Sequence, residues 1–287
     1  MGISLGILFG LTAMLGWGLA DFFAKKAVDE IGDFKTLLWA QTVGLVFLSF
    51  FYFMFGANFS YTITNILIFA ITGVLGTSAY LLFYRALRKG QLSVISPIQA
   101  SWVVITVILS VFFLKESLSS VQIYAIIITI IGIILVSFKY KDLVKLNLKN
   151  FLPGVPEDMV SMTFWGVNFV IIGFLISQFN WFVPILFLRF FTVLLLFGST
   201  GAKKEHITFH TKKVVPWLML IGLFDVMAFV GFGLGVNSEY VSIVSPVAAS
   251  FPLITVIMAR VFLKEKLDLN QIIGFVGILI GLLILSV

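Results

Sequence analysis

The chain has 287 residues but no cysteine, only two histidines and few charges, which make up 11% of its residues. The absence of cysteine excludes disulfides, thiolate nucleophiles and thiolate metal sites. A soluble globular protein is about a quarter charged, because polar residues must cover its surface. With 60% hydrophobic residues and a mean hydropathy of +1.13, this chain has too few charges to coat a water-soluble domain of its length. We therefore predict that most of its surface contacts lipid.

The polar residues do not indicate nucleic-acid, metal or cofactor binding. The net charge is +6, but the basic residues are scattered through short segments between apolar runs, whereas a nucleic-acid interface needs a clustered basic patch. His206 and His210 lie together in one basic loop beside the membrane, which disfavours a shared metal ion. The sequence also has no ATP-binding P-loop pattern. We expect no nucleic-acid partner, no metal ion and no cofactor.

Long apolar runs predict an all-α polytopic membrane protein with ten transmembrane helices. About 20 apolar residues are needed to cross the hydrocarbon core of a bilayer, whereas barrel strands would alternate in stretches of about ten residues. The runs here are unbroken, and the segments between them are too short for a soluble catalytic domain. The predicted spans are 3–24, 35–55, 63–85, 92–114, 119–138, 157–177, 181–200, 214–236, 240–263 and 269–287.

The two halves of the chain are similar at an offset of 149 residues. Between 91 and 138, 19 of 48 ungapped positions are identical, and they include Ser, Pro, Lys, Glu and Gln as well as the apolar residues expected to match by chance. At an offset of 148, Trp17-Gly18 matches Trp165-Gly166. The strongest matches pair Ser93–Pro97 with Ser242–Pro246, Ile105–Ile108 with Ile254–Ile257, and Phe113–Glu116 with Phe262–Glu265.

This duplication divides the chain into a repeat at 1–138, a basic linker at 139–155 and a second repeat at 156–287. Five helices per repeat is an odd number, so the second repeat is predicted to enter the membrane upside down. Two inverted five-helix repeats are typical of secondary transporters, whose substrate site lies near the membrane midplane where the repeats meet.

Two motifs occur once in each repeat. A Trp-Gly pair is followed by Phe within five residues, and Pro97 and Pro246 are each followed 17 residues later by Leu-Lys-Glu-x-Leu-x-x-x-Gln. In these motifs the chain resembles the EamA-type domains of the drug/metabolite transporter superfamily, and the resemblance covers nearly the whole chain. The resemblance implies ten helices and transport, often export, of amino acids, other metabolites or drugs.

We accordingly expect a secondary transporter in the plasma membrane, an exporter that works by alternating access between its repeats. It is not expected to be an enzyme, because its acidic residues are dispersed and its histidines share one loop. The alternative is a channel-like facilitator or a flippase for a lipid-linked substrate. Expected partners are membrane lipid, a small-molecule substrate and a coupling proton, and glycines at four-residue spacing would also permit a homodimer.

Basic residues predict the orientation of the chain. Sixteen of them lie in the odd-numbered loops, whereas the even-numbered loops contain only Lys115. By the positive-inside rule the odd-numbered loops are cytoplasmic and both termini are outside. The family resemblance implies the opposite orientation, with both termini in the cytoplasm.

Asp225 and Arg189 are the leading candidates for a functional site. Asp225 lies about eleven residues into a predicted span, roughly 16 Å deep at 1.5 Å per residue, where a carboxylate costs about 2.5–3.5 kcal/mol. Arg189 is expected at a similar depth in the preceding, antiparallel helix. The two residues are predicted either to form a structural ion pair or to take part in substrate binding or proton coupling.

Three other polar residues in the spans are candidates. Asp21 either lines the site or forms an interfacial pair with Lys25, four residues on. Gln41 matches Arg189 at an offset of 148, where EamA-type sequences often carry a basic residue in both halves. Asn168, less than one turn after Trp165, is a further polar group that would face the cavity.

Three prolines and five aromatic residues complete the candidates. Pro97, Pro246 and Pro252 each remove a helix N–H and free a carbonyl four residues back. Paired interruptions of this kind mark transporter sites, although they are equally compatible with packing kinks satisfied by serine hydroxyls. An aromatic wall would suit an amino-acid, cationic or planar substrate, but lipid contact or packing is the alternative for each ring. The five are Trp17, Tyr80, Tyr84, Trp102 and Trp165.

Overall fold

The computed structural model describes residues 5–55, 62–113, 115, 119–137, 140, 151–203, 208 and 211–285. These residues form helices and contain no strand. Most of the predicted linker, as well as His206 and His210, lies outside the described residues. The first-half helices are α1 (Leu5–Ile31), α2 (Asp33–Ser49), the short α3 (Tyr52–Phe55), α4 (Ile63–Lys89), α5 (Leu92–Ala100), α6 (Trp102–Phe113) and α7 (Ser120–Ser137). The second-half helices are α8 (Val155–Gln178), α9 (Phe182–Lys203), α10 (Val215–Ser238, after a 3₁₀ turn at Lys212–Val214), α11 (Val241–Ala248), α12 (Pro252–Phe262) and α13 (Leu269–Leu285).

Seven helical segments in the described part of the chain are long and apolar enough to cross a membrane. They comprise α1, α4, α5 with α6, α8, most of α9, α10 with its 3₁₀ turn, and α11 with α12. The remaining long helices are shorter, with 17 residues in α2, 18 in α7 and 17 in α13. The prediction of an all-α, multi-pass membrane protein is confirmed.

Helix packing follows the sequence duplication. The contact of α1 with α10 has its equivalent in that of α8 with α4, and the contact of α2 with α10 in that of α9 with α4. Two helix pairs, α2 with α9 and α7 with α13, join an element directly to its own equivalent. The two halves are therefore related by an approximate two-fold axis that passes between these pairs.

Close glycine contacts show the same symmetry. A Cβ atom on Gly73 would lie 2.3 Å from Cβ of Phe191, and one on Gly222 would lie 2.5 Å from Cγ1 of Val43. Gly73 and Gly222 are equivalent, as are Val43 and Phe191. The same relation holds for Gly18 against Ile254 and Gly166 against Ile105. Small residues thus let the two halves approach closely at matching places.

The last helices of the two halves run in opposite directions. Near the start of α13, Asn270 Nδ2 donates a hydrogen bond to the carbonyl oxygen of Leu135, 2.8 Å away. Further along α13, Gly277 approaches the carbonyl of Ile128. Residue numbers fall along α7 as they rise along α13, so these equivalent helices are antiparallel, as an inverted repeat requires.

The fourth helix of each half is broken at an equivalent place. The N–H of Ser101 donates to the carbonyl of Ile98, and its hydroxyl donates to the carbonyl of Pro97 at 3.0 Å. Ser250 repeats this arrangement with the carbonyl of Pro246, also at 3.0 Å. In each break, the serine four residues after the proline uses its hydroxyl in place of the main-chain N–H to donate to the proline carbonyl.

The prolines themselves lie within regular helix. Pro97 is inside α5, Pro246 is inside α11, and Pro252 is the first residue of α12. A proline at the first helical position loses no intrahelical hydrogen bond. The predicted interruptions are thus present in both halves, but each is displaced beyond the repeated proline.

The second Leu-Lys-Glu motif, Leu263–Glu265, forms a turn that joins the two halves, whereas Leu114 and Glu116 of the first copy lie outside the described residues. Lys115 and Lys264 have φ of 58° and 56°, the only positive values outside glycine among the described residues. This turn directs the Glu265 carboxylate to the N-terminus of α5, where it accepts from the main-chain N–H of Leu92 at 3.0 Å and of Ser93 at 2.8 Å. The Ser93 hydroxyl also donates to it at 2.6 Å. The second half therefore caps a helix of the first.

We expect Glu265→Gln to lower the free energy of unfolding by about 1–3 kcal/mol, because charge-assisted hydrogen bonds to the α5 terminus become neutral ones. Thermal unfolding of the detergent-purified protein would measure the change. Glu157→Gln is the control, since Glu157 pairs with exposed Lys89, and surface pairs contribute at most about 1 kcal/mol. Equal losses in the two variants would contradict a special role for the Glu265 cap.

Candidate functional site

A cavity lies where the two halves meet, among α1, α4, α5, α6, α8 and α10. Its volume is about 50 Å³, which is enough for a few water molecules. Pockets that hold drug-sized ligands measure roughly 300–1,000 Å³, so the cavity in this conformation is too small for a ligand of that size. Its lining is mainly aromatic, with a few polar and aliphatic side chains, and consists of Trp17, Ala20, Asp21, Tyr80, Phe83, Tyr84, Gln99, Trp102, Trp165, Phe169, Ile221, Asp225, Phe229 and Phe251.

A buried ion pair adjoins this cavity. Arg189 Nη1 on α9 lies 2.6 Å from Asp225 Oδ2 on α10. The Tyr80 hydroxyl donates to the same carboxylate at 3.0 Å, and Arg189 also donates to Gln41 Oε1 at 2.5 Å. Arg189 is 2% exposed and Asp225 5%. The two charges are thus removed from solvent and satisfied chiefly by each other.

Gly44 leaves space for the guanidinium group of Arg189, and the Phe229 ring packs against it. A Cβ atom on Gly44 would lie 3.0 Å from Arg189 Nη1. The guanidinium carbon also lies 5.5 Å from the centre of the Phe229 ring, within the range of a cation–π interaction. The position of Arg189 is therefore set by packing as well as by charge.

The ion pair is asymmetric although the frame is symmetric. Gln41 and Arg189 occupy equivalent positions and contact each other, so the approximate two-fold axis passes beside them. Asp225 has no such equivalent, because Gly76 stands at its place in the first half. Arg189 and Asp225, which have no charged equivalents in the first half, therefore lie next to each other at the interface between the halves.

All five aromatic residues singled out from the sequence line the cavity. Trp165 meets Tyr80 edge-on at 4.8 Å between ring centres, and Tyr80 meets Tyr84 at 6.2 Å. On the other side, Trp17 meets Trp102 edge-on at 6.1 Å. Edge-to-face pairs at these distances are favourable. They build a stiff aromatic wall around the carboxylate of Asp225.

Asp21 also lines the cavity. It does not form the interfacial pair that was the alternative prediction, because Lys25 bonds to Asp29 at 3.0 Å and to the carbonyl of Leu87 at 2.7 Å. No hydrogen bond or ion pair joins Asp21 to another side chain in the described part of the protein. The cavity therefore contains two carboxylates, of which only Asp225 has a cationic partner.

Asn168 is turned away from the cavity. It is fully buried between α8 and α4, and its Nδ2 donates to the carbonyl of Thr72 at 3.2 Å. Pro97, Pro246 and Pro252 do not line the cavity either. Gln41 and Arg189 lie behind its wall and act on it through Asp225.

Sequence reasoning missed several lining residues. Phe169 and Phe229 each follow a singled-out residue, Trp165 and Asp225, by four positions. Residues at i and i+4 share a helix face, so this spacing could have identified both. Gln99 had no comparable sequence signal, because the argument from nearby Pro97 concerned freed main-chain carbonyls and not the side chains around it.

These features define a multi-pass membrane protein with a duplicated helical unit and a polar site between its halves. The EamA-like transporter family matches residues 4–138 and 158–287, which is nearly the whole chain. The chain belongs to this family. It is therefore a membrane transporter of small molecules, and members of the family are transporters rather than enzymes.

Two further comparisons agree with the duplication and the fold. The "Uncharacterized protein MJ1333.1" of Methanocaldococcus jannaschii is 36% identical over 132 residues, which cover 46% of this chain and 95% of that protein. That relative therefore has about the length of one repeat. A solved structure titled "Crystal structure of protein" has a TM-score of 0.75 and 15% identity, with 99% of both chains covered. At this identity the likeness concerns the fold alone.

Proposed function

We propose that the protein is a secondary transporter that exports a small amphipathic metabolite, such as an amino acid or a drug-like amine, by alternating access between its two repeats. The observation that carries this proposal is the Asp225–Arg189 pair at the junction of the halves, beside an aromatic cavity. A charged pair in this position is costly to insert in a membrane. Such a cost is consistent with a role in function.

The cavity favours a substrate with an ammonium group. Asp225 and Asp21 both face it, and Arg189 lies behind Asp225. An ammonium group would bind these carboxylates, and the aromatic rings would attract the same cation through their faces. The apolar part of an amphipathic substrate would replace the ring contacts that now fill the cavity.

Transport requires the cavity to open, because about 50 Å³ is too small for such a substrate. Contacts at the odd-numbered loops hold one side closed: Arg88 with Asp33 at 3.3 Å, Lys89 with Glu157, and Glu265 with the start of α5. The first two are surface pairs, which separate at little cost. Alternating access would break these contacts while closing the opposite side.

The proposed topology has ten crossings, with α2, α7 and α13 spanning the membrane beside the seven longer segments. The concentration of basic residues supports a topology in which the odd-numbered loops are cytoplasmic and both termini lie outside. The closed contacts just described would then be on the cytoplasmic side.

Counterflow in proteoliposomes tests the function with a panel of amino acids and organic amines. We expect saturable counterflow of at least one compound, and about a 10–100-fold loss in Asp225→Asn, because a charge-assisted hydrogen bond contributes about 1.5–3 kcal/mol. Asp29→Asn, which removes an exposed acid that pairs with Lys25, should transport normally.

The outcomes separate the parts of this proposal. Flux without counterflow would favour a channel-like facilitator over a carrier. Full activity in Asp225→Asn would remove Asp225 from the mechanism. Absence of flux for every compound, under any proton or substrate gradient, would contradict small-metabolite transport.

A further inference from the structure

Asp158 is a buried acid that the site described above does not use. It lies one turn into α8 and is fully buried, and neither of its carboxylate oxygens has a hydrogen-bond partner within the described part of the chain. Asp225, by contrast, accepts bonds from Arg189 and Tyr80. An ionised carboxylate without a partner is very costly in an apolar interior. Asp158 therefore differs in kind from Asp225.

Gln99 of α5 is level with Asp158. Helices α5 and α6 run parallel to α8, since Gly154 lies against Ile95 and Gly166 against Ile105. The main-chain N–H of Gln99 lies close enough to the Asp158 carboxylate to interact with its charge, but the geometry is not that of a hydrogen bond. The side-chain Oε1 of Gln99 is also buried without a partner. Both carboxylate oxygens of Asp158 and the amide oxygen of Gln99 therefore lack donors among the described residues.

No cation from the surrounding described helices neutralises Asp158. Helices α5 and α6 contain no titratable residue. Helix α1 contributes another acid, Asp21, which interacts electrostatically with Asp158. Helix α4 contributes Tyr84 and basic residues near its end, and α10 contributes Asp225. The basic residues are engaged elsewhere: Lys89 with Glu157, Arg85 and Arg88 with Asp33, and Arg189 with Asp225.

A single proton resolves this excess of acceptors. Bound to Asp158, it removes the buried charge and converts one carboxylate oxygen into a donor. We propose that Asp158 binds the coupling proton of the transport cycle, in a site completed by Gln99 and Asp21 and separate from the Asp225–Arg189 pair. This proposal rests on the transport function proposed above.

The route to this site is through the cavity. Gln99 and Asp21 line the cavity whereas Asp158 lies behind them, so a proton from a cavity water would reach Asp158 by way of these two side chains and return by the same route. Asp158 belongs to the second repeat, whereas Gln99 and Asp21 belong to the first. With Asp158 protonated the repeats pack closely, and with both acids ionised their repulsion favours separation. Proton binding would thus strengthen or weaken the contact between the two repeats at Asp158, which is a contact that must change during alternating access.

The opposite side of the molecule offers no such site. The equivalents of Asp158 and Gln99 are Gly10 and Ala248, and Gly10 packs against Val247. These residues carry no titratable group. In the described part of the two-fold frame, the proposed proton site therefore has no equivalent at the symmetry-related position.

Infrared spectroscopy of the purified full-length protein tests the proposal without a substrate. At about pH 7, where an aspartate in water is ionised, we expect a carboxylic-acid C=O band that shifts in D₂O and disappears in Asp158→Asn. Glu157→Gln is the matched control, because it removes the adjacent acid, which is only partly buried and pairs with Lys89, and it should keep the band. Gln99→Leu should keep the band but shift its frequency, which also reports on Asp158 if Asp158→Asn does not fold.

Three results would overturn the proposal. One is a wild-type spectrum without the band, and another is a band that persists unchanged in Asp158→Asn. The third is a melting temperature of the wild-type protein that is raised by Na⁺ but not by choline at equal ionic strength, together with no such rise in Asp158→Asn. This result would indicate a sodium site instead of a proton site.

A transport measurement distinguishes this proposal from the proposed function. With a compound that shows counterflow, Asp158→Asn should keep counterflow but lose accumulation driven by a proton gradient. Accumulation equal to wild type in Asp158→Asn would overturn the coupling role. A wild-type protein that shows the infrared band but transports nothing would contradict the transport function and leave the proton site intact.

Discussion

Replacing Asp225 by leucine is expected to lower the free energy of unfolding by about 3–5 kcal/mol, because it leaves Arg189 charged and buried without its carboxylate. Arg189 is only 2% exposed and lies 2.6 Å from Asp225. Gln41 and the Phe229 ring would remain beside the guanidinium, but neither carries a negative charge. Thermal or denaturant unfolding in detergent would measure the loss.

The double variant Asp225→Leu with Arg189→Met separates structure from function. Removing both charges of a buried pair is often neutral or stabilising when the replacements pack well. We therefore expect most of the stability to return while transport stays lost. If transport returned together with stability, the pair would be purely structural. If the single variant were as stable as wild type, Arg189 would have found another anion, contrary to the arrangement described.

Gly16→Ala is expected to lower the free energy of unfolding by about 1–3 kcal/mol. The added Cβ would lie 2.6 Å from the main-chain oxygen of Phe224 and 2.8 Å from the main-chain nitrogen of Ala228. Main-chain atoms cannot move aside as a flexible side chain can, so α1 and α10 must separate. This cost exceeds the gain of up to about 1 kcal/mol from the higher helix propensity of alanine.

The consequence of Gly16→Ala should extend to transport. Gly16 precedes Trp17 and Phe224 precedes Asp225, so a shift between these helices displaces both walls of the cavity. Gly198→Ala is the matched control, because nothing lies within 4 Å of the added atom, and it should be neutral or slightly stabilising. A destabilised Gly198→Ala variant, or a Gly16→Ala variant as stable as wild type, would contradict the contact described.

Helices could be predicted from the sequence because length and apolar composition are local properties. Their interruptions could not be placed from composition. The predicted span 92–114 is one apolar run, yet the structure divides it at Ser101, where a hydroxyl takes the place of a main-chain donor. The predicted first span, 3–24, also ends too early, because α1 continues to Ile31 through charged residues.

The site could be predicted for those residues whose depth in a predicted membrane span was enough to mark them as unusual. Asp225 and Arg189 are charges far inside apolar runs, and their proximity followed from antiparallel neighbouring helices. Asn168 was harder to orient, because lipid and protein interior are equally apolar and periodicity does not separate the two faces of a helix. Asp158 follows the predicted start of its span by one residue, so it resembled an interfacial acid although it is fully buried.

The contact between Gln41 and Arg189 bears on how such a protein could diverge from a dimer of single repeats. In a symmetric dimer, the position on the axis would bring two identical side chains together. Two arginines there would need an anion between them, and two glutamines would hold no charge. Joining the repeats in one chain permits arginine on one side only, with Asp225 opposite Gly76 as its partner. Covalent fusion thus allows a polarity across the interface that identical subunits cannot have.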